Sequence, residues 1–401
     1  MISVEEASAR ILATFTPVGA ETVALAEAAG RISAAPVIAR TTQPPADVSA
    51  MDGFAVRAEE ARDGAALRLI GSAPAGHPFA GSVGAGETVR IFTGSFIPAG
   101  ADAVLLQEDA DAEEGGVRVR ETVRPGQHIR RMGQDFAHGD VVIAAGQRLS
   151  SRDIGLAAAA DHPWLLVHRR PRVAVLATGD EIALPGEPIP PGGIVSSNAH
   201  ALAAMVAALG GAPSVLPIAA DDTEAIGRAA DAARGFDLLL TTGGISVGAH
   251  DLVQEGLARR GLAVDFWKIA MRPGKPLMFG RLGEMPVLGL PGNPVAAFVC
   301  ALLFARPALL RLAGLAAAPL PTTTAETATA LGANDRRFDF LRARLEEDAA
   351  GRLVATAFAV QDSAMQAVLA RADALILRPP HAPAVAAGAA VEIVRFDRLG
   401  L

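Results

Sequence analysis

Cysteine is nearly absent from this chain of 401 residues, which contains only Cys300. A single thiol excludes an internal disulfide framework, and it also excludes a zinc or iron–sulfur site built from several cysteines. Cys300 lies inside the apolar stretch AAFVCALLF, which is typical of a core residue rather than of a nucleophile. We therefore expect a protein of a reducing compartment.

Long apolar segments are missing as well. The longest nearly continuous run, Val295 to Ala305, stops at Arg306 and is shorter than the ~20 residues of a membrane span. The first residues, MISVEEASARIL, carry acids early and lack an apolar core, which is not the pattern of a signal peptide. We expect no membrane partner and a cytoplasmic location.

Basic residues are outnumbered throughout, because 36 Lys+Arg face 43 Asp+Glu and the formal net charge is −7. This balance argues against nucleic acid as the main partner. Lysine is the scarcest base, since only Lys268 and Lys275 are lysine and the other 34 bases are arginine. Either these two are chance survivors of a coding bias, or a compact ammonium is needed to donate to an oxyanion as a point charge.

The residues that are present predict a folded protein of several domains. The chain is 51% hydrophobic and 20% charged, which is far from a disordered composition. Residues 64–149 contain short strand patterns separated by turns, as in a small all-β unit. From residue 171, strands alternate with helices and predict a mostly parallel sheet covered on both faces. The residues after 320 return to short strands and predict a second small β domain.

Unusual loops follow three of the predicted strands in the α/β part. They are Thr178-Gly179-Asp180-Glu181, the segment TTGGISVG that starts at Thr241, and Pro291-Gly292-Asn293-Pro294. Ligands of open parallel sheets bind outside the carboxyl ends of the strands. These loops are therefore the predicted binding edge of the sheet.

The glycine-rich loop TTGGISVG gives the strongest signal for a phosphate-type ligand. Glycines let the backbone approach an anion, so Gly243, Gly244 and Ser246 are candidate binding residues. A tight turn before a helix is the alternative interpretation. The loop lacks the lysine of a P-loop, and GxGxxG is absent, so no standard nucleotide motif is met. Asn293 and Pro294 are also explained by ordinary helix capping.

Carboxylates are frequent at loop positions, namely Asp52, Asp135, Asp180, Glu181, Asp221, Asp222 and Asp251. Any one of them alone is more simply a helix cap or a solvated loop residue, and Asp222 is the clearest cap candidate. As a set beside a glycine-rich loop they suggest metal-assisted chemistry at a phosphate. Mg²⁺ suits this interpretation, because it takes a few carboxylates together with substrate phosphates.

Seven motifs occur together in this chain: PPADVSAMDGFAVR, IFTGSFIPAGADAVLLQED, RRMGQD, VAVLATGDEI, TTGGISVGAHD, KIAMRPGKPLMFG and GLPGNPVAAF. In this order they resemble the molybdopterin molybdenumtransferase family (MoeA, like the E domain of gephyrin). The resemblance covers essentially the whole chain. It implies an elongated homodimer with four domains in each chain and a multi-domain α/β plus β fold.

The implied domains divide the chain unevenly. Residues 1–50 and 140–170 form a discontinuous N-terminal helical or linker domain, and residues 51–139 form the small β domain. Residues 171–318 form the α/β molybdopterin-binding domain with a parallel-type sheet. Residues 319–401 form a C-terminal β domain that is barrel-like.

The implied activity is the insertion of molybdate into adenylylated molybdopterin in a Mg²⁺-dependent reaction that releases AMP and molybdenum cofactor. The resemblance also implies contact with the molybdopterin adenylyltransferase and with acceptor molybdoenzymes. Molybdate and the phosphoanhydride of the pterin are both anions, and two unit charges 4 Å apart repel by about 1 kcal/mol in water and by more in a drier site. The basic residues, the glycine-rich loop and Mg²⁺ together offset this repulsion.

The family's motifs and the strand-end loops together give the predicted site. The predicted catalytic residues are Asp52, Asp135, Glu181 and Asp251. The predicted metal ligands are Asp52, Glu181, Asp221, Asp222 and Asp251. The predicted substrate-binding residues are Thr93, Thr178, Gly243, Gly244, Ser246, Lys268, Arg272, Lys275, Pro291, Asn293, Pro294, Arg337 and Ser363. Arg272 is a departure, because the family often has lysine there, and arginine keeps the charge but not the point-charge geometry.

Three alternatives remain open at this stage. A molybdopterin adenylyltransferase shares the α/β domain, but it lacks the SAMDGFA segment and the β domains. The second alternative is a non-catalytic pterin-binding or scaffolding protein. Loss of Asp52 or Glu181 would favour it, but both residues are present. A tungstate-specific enzyme is the third alternative, since tungstate and molybdate are nearly the same size.

Overall fold

The computed structural model describes residues 1–244, 252–316 and 319–400. The chain begins with helix α1 (Val4–Thr14), strand β1 (Ala20–Ala24), helix α2 (Leu25–Ala28) and strands β2 (Val37–Ile38) and β3 (Val48–Ser49). The hydroxyl of Ser3 caps α1 by accepting from the N–H of Glu6 at 3.0 Å. Ala7 and Ile11 are buried and join the core of the α/β domain.

The next part of the chain forms the small β domain. It contains β4 (Gly53–Val56), β5 (Ala66–Ala73), β6 (Glu87–Ile91), β7 (Ala103–Leu106), β8 (Ala110–Glu113), β9 (Gly116–Val119) and the short β10 (Ile129–Arg130). The first six form one sheet in the order β7-β4-β6-β5-β9-β8, while β10 pairs with β3. The small β unit predicted from the turn spacing is confirmed.

The chain then returns to its N-terminal segment through β11 (Val141–Ile143), α3 (Ser151–Ala159) and β12 (Trp164–His168). β11 pairs with β2 and β12 with β1, both antiparallel. A capping box formed by Ser150 and Asp153 starts α3. The pairings place Val23, Val37 and Ile143 in one shared core.

The α/β domain is the largest unit. Its strands are β13 (Arg172–Ala177), β14 (Ile182–Ala183), β15 (Ile194–Val195), β16 (Ala212–Val215), β17 (Leu238–Thr242), β18 (Leu262–Lys268), β19 (Met271–Arg272), β20 (Pro276–Leu282) and β21 (Met285–Leu290). Its helices are α4 (Asn198–Ala208), α5 (Thr223–Ala232), α6 (Leu252–Ala258), α7 (Pro294–Cys300) and α8 (Arg306–Leu312).

The central sheet has the order β16-β13-β17-β21-β20-β18. Its first four strands are parallel, β20 pairs antiparallel with β21, and β18 pairs antiparallel with β20. Because β13 and β17 are buried on both faces, they read as continuous apolar runs in the sequence. Helices α1, α4, α7 and α8 cover one face, and α5 and α6 cover the other. The predicted α/β domain is confirmed, with the antiparallel hairpin of β18 and β20 added at one edge.

The apolar run Val295 to Ala305 is part of a helix that is longer than the run itself. Arg306 does not end it, and α7, a π-helical turn at Ala301–Ala305 and α8 run on to Leu312. By length and composition alone, this helix could cross a membrane. Most of it is buried inside the protein against the central sheet.

The C-terminal domain is a closed barrel. Its elements are β22 (Thr323–Thr327), β23 (Phe338–Glu347), β24 (Leu353–Ala357), α9 (Gln366–Ala370), β25 (Ala374–Arg378) and β26 (Ala390–Arg395). The strands follow the order β23-β24-β22-β26-β25, and β25 pairs back to β23. The short β19 of the α/β domain adds to β23 in parallel, which joins the barrel to the central domain. The barrel-like prediction is confirmed.

Candidate active site

The three predicted loops meet at one edge of the central sheet. Ala177 of β13 pairs with Thr242 of β17, and Thr242 pairs with Leu290 of β21, so the three strands end side by side. The hydroxyl of Thr242 donates to the carbonyl of Pro291 at 3.2 Å. Thr178 donates its backbone N–H to the carbonyl of Thr242 at 3.2 Å. The first and third loops are thus both tied to the second.

Asn198 connects the same loops from the side. Ser197 holds the N-cap position of α4, and Asn198 is the first helical residue. Its side-chain amide donates to the Thr242 hydroxyl at 2.9 Å and to the carbonyl of Gly292 at 2.7 Å. Asn198 is therefore a brace of the site that the sequence did not reveal.

Steric limits explain why Gly243 and Gly244 occur at the start of the second loop. Gly243 and Gly244 have φ values of +90° and +63°, which L side chains rarely adopt. A Cβ on Gly243 lies 2.6 Å from the carbonyl oxygen of Thr178, and a Cβ on Gly244 lies 2.7 Å from the Thr178 hydroxyl. The glycines leave room beside Thr178. Ser246 and Asp251 lie outside the described residues.

Two hydroxyl groups at this edge are buried without a partner. Among the described residues, the side-chain oxygens of Thr178 and Thr241 make no hydrogen bond. A buried polar group without a partner costs about 1–3 kcal/mol, so such groups mark places where a ligand can complete the bonding. The edge can therefore accept a polar or anionic group between the loops.

The strand-end carboxylates are only partly assembled. Asp180 accepts from the N–H of Asp221 at 3.0 Å, which joins the first loop to the one before α5. Glu181 folds back over Gly179, and both Glu181 and Asp221 are exposed. Asp222 is used as the N-cap of α5 and accepts from the N–H of Ala225 at 2.8 Å. In the described part of the chain, no three His, Cys, Asp or Glu side chains are grouped to hold a metal ion.

Asp52 and Thr93 form a pair in the small β domain. One carboxylate oxygen of Asp52 accepts from the backbone N–H of Thr93 at 2.7 Å and from its hydroxyl at 2.8 Å. The N–H of Thr93, followed by its hydroxyl, lowers the pKa of Asp52 below its ordinary value. Gly53 follows because a Cβ there would lie 1.9 Å from the carbonyl oxygen of Leu105. Packing therefore requires glycine at position 53, but it does not explain the acid at position 52.

Asp135 lies apart from that pair. It is exposed, and its backbone N–H donates to the carbonyl of Gln43 at 3.1 Å. In the described ranges, no side-chain hydrogen bond joins Asp52 or Asp135 to the loops at the sheet edge. The side-chain hydrogen bonds of the described residues thus connect neither Asp52 nor Asp135 to Glu181 and Asp221.

The two lysines lie at the two ends of one hairpin loop. Lys268 of β18 faces Pro276 of β20, and the N–H of Ile269 donates to the carbonyl of Lys275 at 3.0 Å. The loop is held from outside by Ile2, which bonds the carbonyl of Lys268 at 3.1 Å and the N–H of Ala270 at 2.9 Å. Lys275 is exposed and Lys268 is half-buried.

Cys300 supports the same loop from below. Its thiol donates to the carbonyl of Gly274 at 3.7 Å, and burial raises its pKa. Gly274 has φ +105°, and a Cβ on it would lie 2.4 Å from the sulfur. The glycine in Arg272-Pro273-Gly274-Lys275 is therefore required by the core underneath.

Comparisons with known proteins cover this whole architecture. Three family models match in order: the MoeA N-terminal region (domain I and II) over residues 2–160, a probable molybdopterin binding domain over 174–311, and the MoeA C-terminal region (domain IV) over 324–396. The molybdopterin molybdenumtransferase of Haemophilus influenzae is 33% identical, and the alignment covers 100% of both chains. Molybdopterin molybdenumtransferase 2 of Mycobacterium tuberculosis is 36% identical over 93% of this chain and 94% of its own.

The chain belongs to the molybdopterin molybdenumtransferase family. A solved structure of a molybdopterin biosynthesis MoeA protein from Pyrococcus horikosii agrees with this, with 29% identity, a TM-score of 0.87 and coverage of 99% of both chains. The chain is accordingly an enzyme of this transferase family. Its four-part architecture is that of MoeA proteins.

The loop at residues 291–294, which leads into helix α7, is hydrogen-bonded to the C-terminal barrel. Pro294 is the first residue of α7, as predicted, but Asn293 makes no side-chain cap. Its amide instead donates to the hydroxyl of Ser363 at 2.8 Å, and the carbonyl of Ser363 accepts from the N–H of Val295 at 3.0 Å. Pro291, Asn293, Pro294 and Ser363 are therefore brought together.

Arg337 and Arg272, two further predicted members of the family's site, are paired with acids. Arg337 bonds Asp335 at 3.0 Å, which lowers the pKa of Asp335 to about 2. Arg272 bonds Asp339 through two nitrogens, one of them at 2.9 Å. Neither guanidinium is fully available to a substrate.

Arg342 is a basic residue that the motifs did not indicate. It is buried on β23, and its Nε donates to the side chain of Gln361 at 3.2 Å, two residues before Ser363. Its Nη1 is buried without a partner among the described residues. Burial is the main influence on its pKa, which is lowered. Only the fold shows this position, because its burial depends on β23 closing the barrel.

Proposed function

We propose that this chain inserts molybdate into adenylylated molybdopterin in a Mg²⁺-dependent reaction that releases AMP and molybdenum cofactor. The observation that carries the proposal is the edge of the central sheet. There, a positive-φ glycine pair and the unpartnered hydroxyls of Thr178 and Thr241 lie beside loops tied together by Asn198. Family membership supplies the substrate class, and the edge supplies a place where an anionic group can bind.

Lys268 and Lys275 provide the positive field in this proposal. Pterin phosphates and molybdate repel each other, and an ammonium close to both reduces that repulsion in the bound state. The loop that carries the lysines is held on three sides, by Ile2, by Cys300 and by the β19–β23 pairing. A charge held in advance stabilises a transition state without reorganisation at the moment of reaction.

Asp52 acts in this proposal as a fixed negative charge. Hydrogen bonds from Thr93 lower its pKa, so it stays ionised throughout the neutral range. A carboxylate with a lowered pKa is a poor proton acceptor, but it is a good partner for a cation. We assign it to cation or substrate orientation rather than to proton transfer.

The exposed carboxylates suit a Mg²⁺ ion that is shared between the protein and the substrate. They do not form a site that encloses the ion with protein ligands alone. Glu181 and Asp221 lie in neighbouring loops, while Asp222 is occupied as a helix cap. Mg²⁺ usually takes one or two carboxylates and completes its shell with phosphate oxygens and water. We assign its protein ligands to Glu181 and Asp221, which would hold the ion where it would neutralise charge at the phosphoanhydride.

The assembly and location of the protein are also part of the proposal. We infer a cytoplasmic homodimer that receives adenylylated molybdopterin from the adenylyltransferase and passes cofactor to acceptor molybdoenzymes. These inferences rest on family membership alone. The mass of the purified protein in light scattering tests the dimer, since one chain has a mass of 41.0 kDa.

AMP release is the decisive experiment. Purified protein is given adenylylated molybdopterin with molybdate, with tungstate or with neither oxyanion, each with and without Mg²⁺. We expect AMP above the metal-free control only when Mg²⁺ and an oxyanion are both present. Pterin binding without AMP release in any arm contradicts the enzymatic proposal and favours a binding or scaffolding protein. A response to tungstate alone identifies a tungstate enzyme.

A further inference from the structure

The ion pair between Arg272 and Asp339 connects two domains at the lysine loop. Arg272 lies on β19 and Asp339 on β23, and the two residues are direct neighbours in the parallel pairing of these strands. Nε of Arg272 donates to one carboxylate oxygen of Asp339 at 2.9 Å, and Nη2 contacts the other oxygen. The contact is bidentate, which fixes the plane of the guanidinium as well as its position.

The two side chains of the ion pair differ in solvent exposure. The Asp339 side chain is 8% exposed, whereas the Arg272 side chain is 49% exposed. Asp339 also has Arg378 opposite it on β25, but the Nη2 of that arginine donates to the carbonyls of Gly332 and Pro383. Asp339 is thus a buried anchor that has Arg272 as its bidentate partner.

The anchor leaves part of Arg272 available. A guanidinium has five N–H groups, and the contact with Asp339 uses one on Nε and one on Nη2. Nη1 makes no hydrogen bond within the described residues. Because Lys268 and Lys275 flank Arg272 in the same loop, the unused donors belong to the region where an anion is expected.

We infer that Asp339 is a positioning residue, which holds Arg272 so that its unused N–H groups point at the anionic substrate bound between Lys268 and Lys275. This inference rests on the proposed function. It also accounts for arginine at a position where the family often has lysine. A lysine in contact with Asp339 offers one ammonium whose charge is cancelled, whereas arginine keeps directed donors on its far side.

The test is a double-mutant cycle read by substrate affinity. Variants Asp339→Asn, Arg272→Ala and the double variant are compared with the wild-type protein. The readouts are the Kd for molybdopterin, the KM and kcat of AMP release, and the unfolding temperature. Asp397→Asn is the matched control, because Asp397 pairs with Arg395 on the exposed surface of the same barrel at 2.6 Å.

We expect Asp339→Asn to raise Kd and KM about ten-fold, the effect of one lost charge-assisted hydrogen bond. kcat should stay within about two-fold, and Asp397→Asn should change nothing. In the Arg272→Ala background, Asp339→Asn should have no further effect on Kd, because Asp339 acts only through Arg272. An undiminished effect in that background, or an unchanged Kd in the folded single variant, overturns the inference.

A second variant covers the case in which Asp339→Asn does not fold. Arg272→Lys keeps the charge at an exposed position but loses the bidentate contact, so we expect the same rise in Kd without loss of fold. An unchanged Kd in Arg272→Lys overturns the inference. The molybdopterin titration needs no turnover. If the wild-type protein binds pterin but releases no AMP, the proposed function fails while the role of Asp339 is still tested.

Discussion

At the scale of single residues, Asp52 and Gly53 show how two neighbours in one motif have different causes. A Cβ on Gly53 would collide with the carbonyl oxygen of Leu105 in the neighbouring strand, so packing alone requires glycine. Asp52 is exposed, and within the described chain its carboxylate accepts hydrogen bonds only from Thr93. The resemblance to the family indicates a functional acid here, because local propensity explains no more than an Asp-Gly turn.

Replacement of Asp52 should separate function from stability. We expect Asp52→Asn to lower kcat about 100-fold if its charge orients a cation or the substrate, since removal of one preorganised electrostatic group costs about 10²–10³ in kcat. The unfolding temperature should change by less than about 2 °C, because surface loop residues contribute little to folding. Steady-state AMP release and calorimetry measure the two quantities. A large fall in unfolding temperature instead makes Asp52 a structural turn residue.

The lowered pKa of Asp52 predicts a pH effect. Since the folded pKa lies below the ordinary value of 3.8, Asp52 loses its charge only as pH falls through that lowered pKa. Thr93→Val removes the hydroxyl donor and keeps the backbone N–H, so the pKa rises. We expect the acidic limb of the kcat/KM profile to move to higher pH in Thr93→Val. Identical profiles for the two proteins contradict a role for the ionised form.

Lys275 is the exposed member of the lysine pair. We expect Lys275→Ala to weaken molybdopterin binding by about 1–3 kcal/mol, which is the usual value of a hydrogen bond to a charged group. Titration calorimetry measures this change directly. Arg281→Ala is the control, because Arg281 is at the far end of β20, the strand that follows Lys275, and pairs with Glu284 at 3.4 Å. Equal affinities in the two variants leave Lys275 as a chance survivor.

At the scale of elements, the turn after Arg272 depends on the helix beneath it. We expect Gly274→Ala to lower the free energy of unfolding by about 2–4 kcal/mol, because it adds a collision with Cys300 to the strain of positive φ. Gly283→Ala is the matched control, since Gly283 has φ +61° with open space around a Cβ. It should cost only about 1 kcal/mol.

The cause of that difference can be tested by removing the sulfur. In the double variant Gly274→Ala with Cys300→Ala, the combined loss measured by denaturant unfolding should be smaller than the sum of the single losses. Additive losses contradict the collision with Cys300.

Helix caps show where local patterns fail. Asp222 caps α5 as predicted, because its partner, the N–H of Ala225, lies three residues along the chain. The sequence offers Asn293 as a cap equally well, yet its amide reaches Ser363 at a sequence separation of 70, as the amide of Asn198 reaches Thr242 at a separation of 44. A local pattern contains only local partners, so it assigns Asn293 to capping and cannot indicate the bond to Ser363.

At the scale of the whole molecule, the sequence predicted the domain types but not their contacts. Alternation of strands and helices, and the spacing of turns, are local signals that survive in any context. The pairing of β19 with β23, and the ion pair of Arg272 with Asp339 across 67 residues, depend on how two domains meet. The buried Arg342 is hidden for the same reason, because an arginine in an isolated strand pattern is assigned to the solvent side.

The scarcity of lysine makes a whole-molecule chemical test possible. Lys268 and Lys275 are the only lysines among 401 residues, so an amine-reactive reagent modifies side chains only in the proposed anion site, besides the α-amino group. We expect acetylation, which removes the charge, to abolish molybdopterin binding, and reductive methylation, which keeps it, to leave most of the affinity. Mass spectrometry counts the modified lysines, and bound pterin should slow their reaction. If the acetylated protein binds pterin normally, the role of both lysines is contradicted. If both reactions lower the affinity equally, the added size of the modification, and not the lost charge, is responsible.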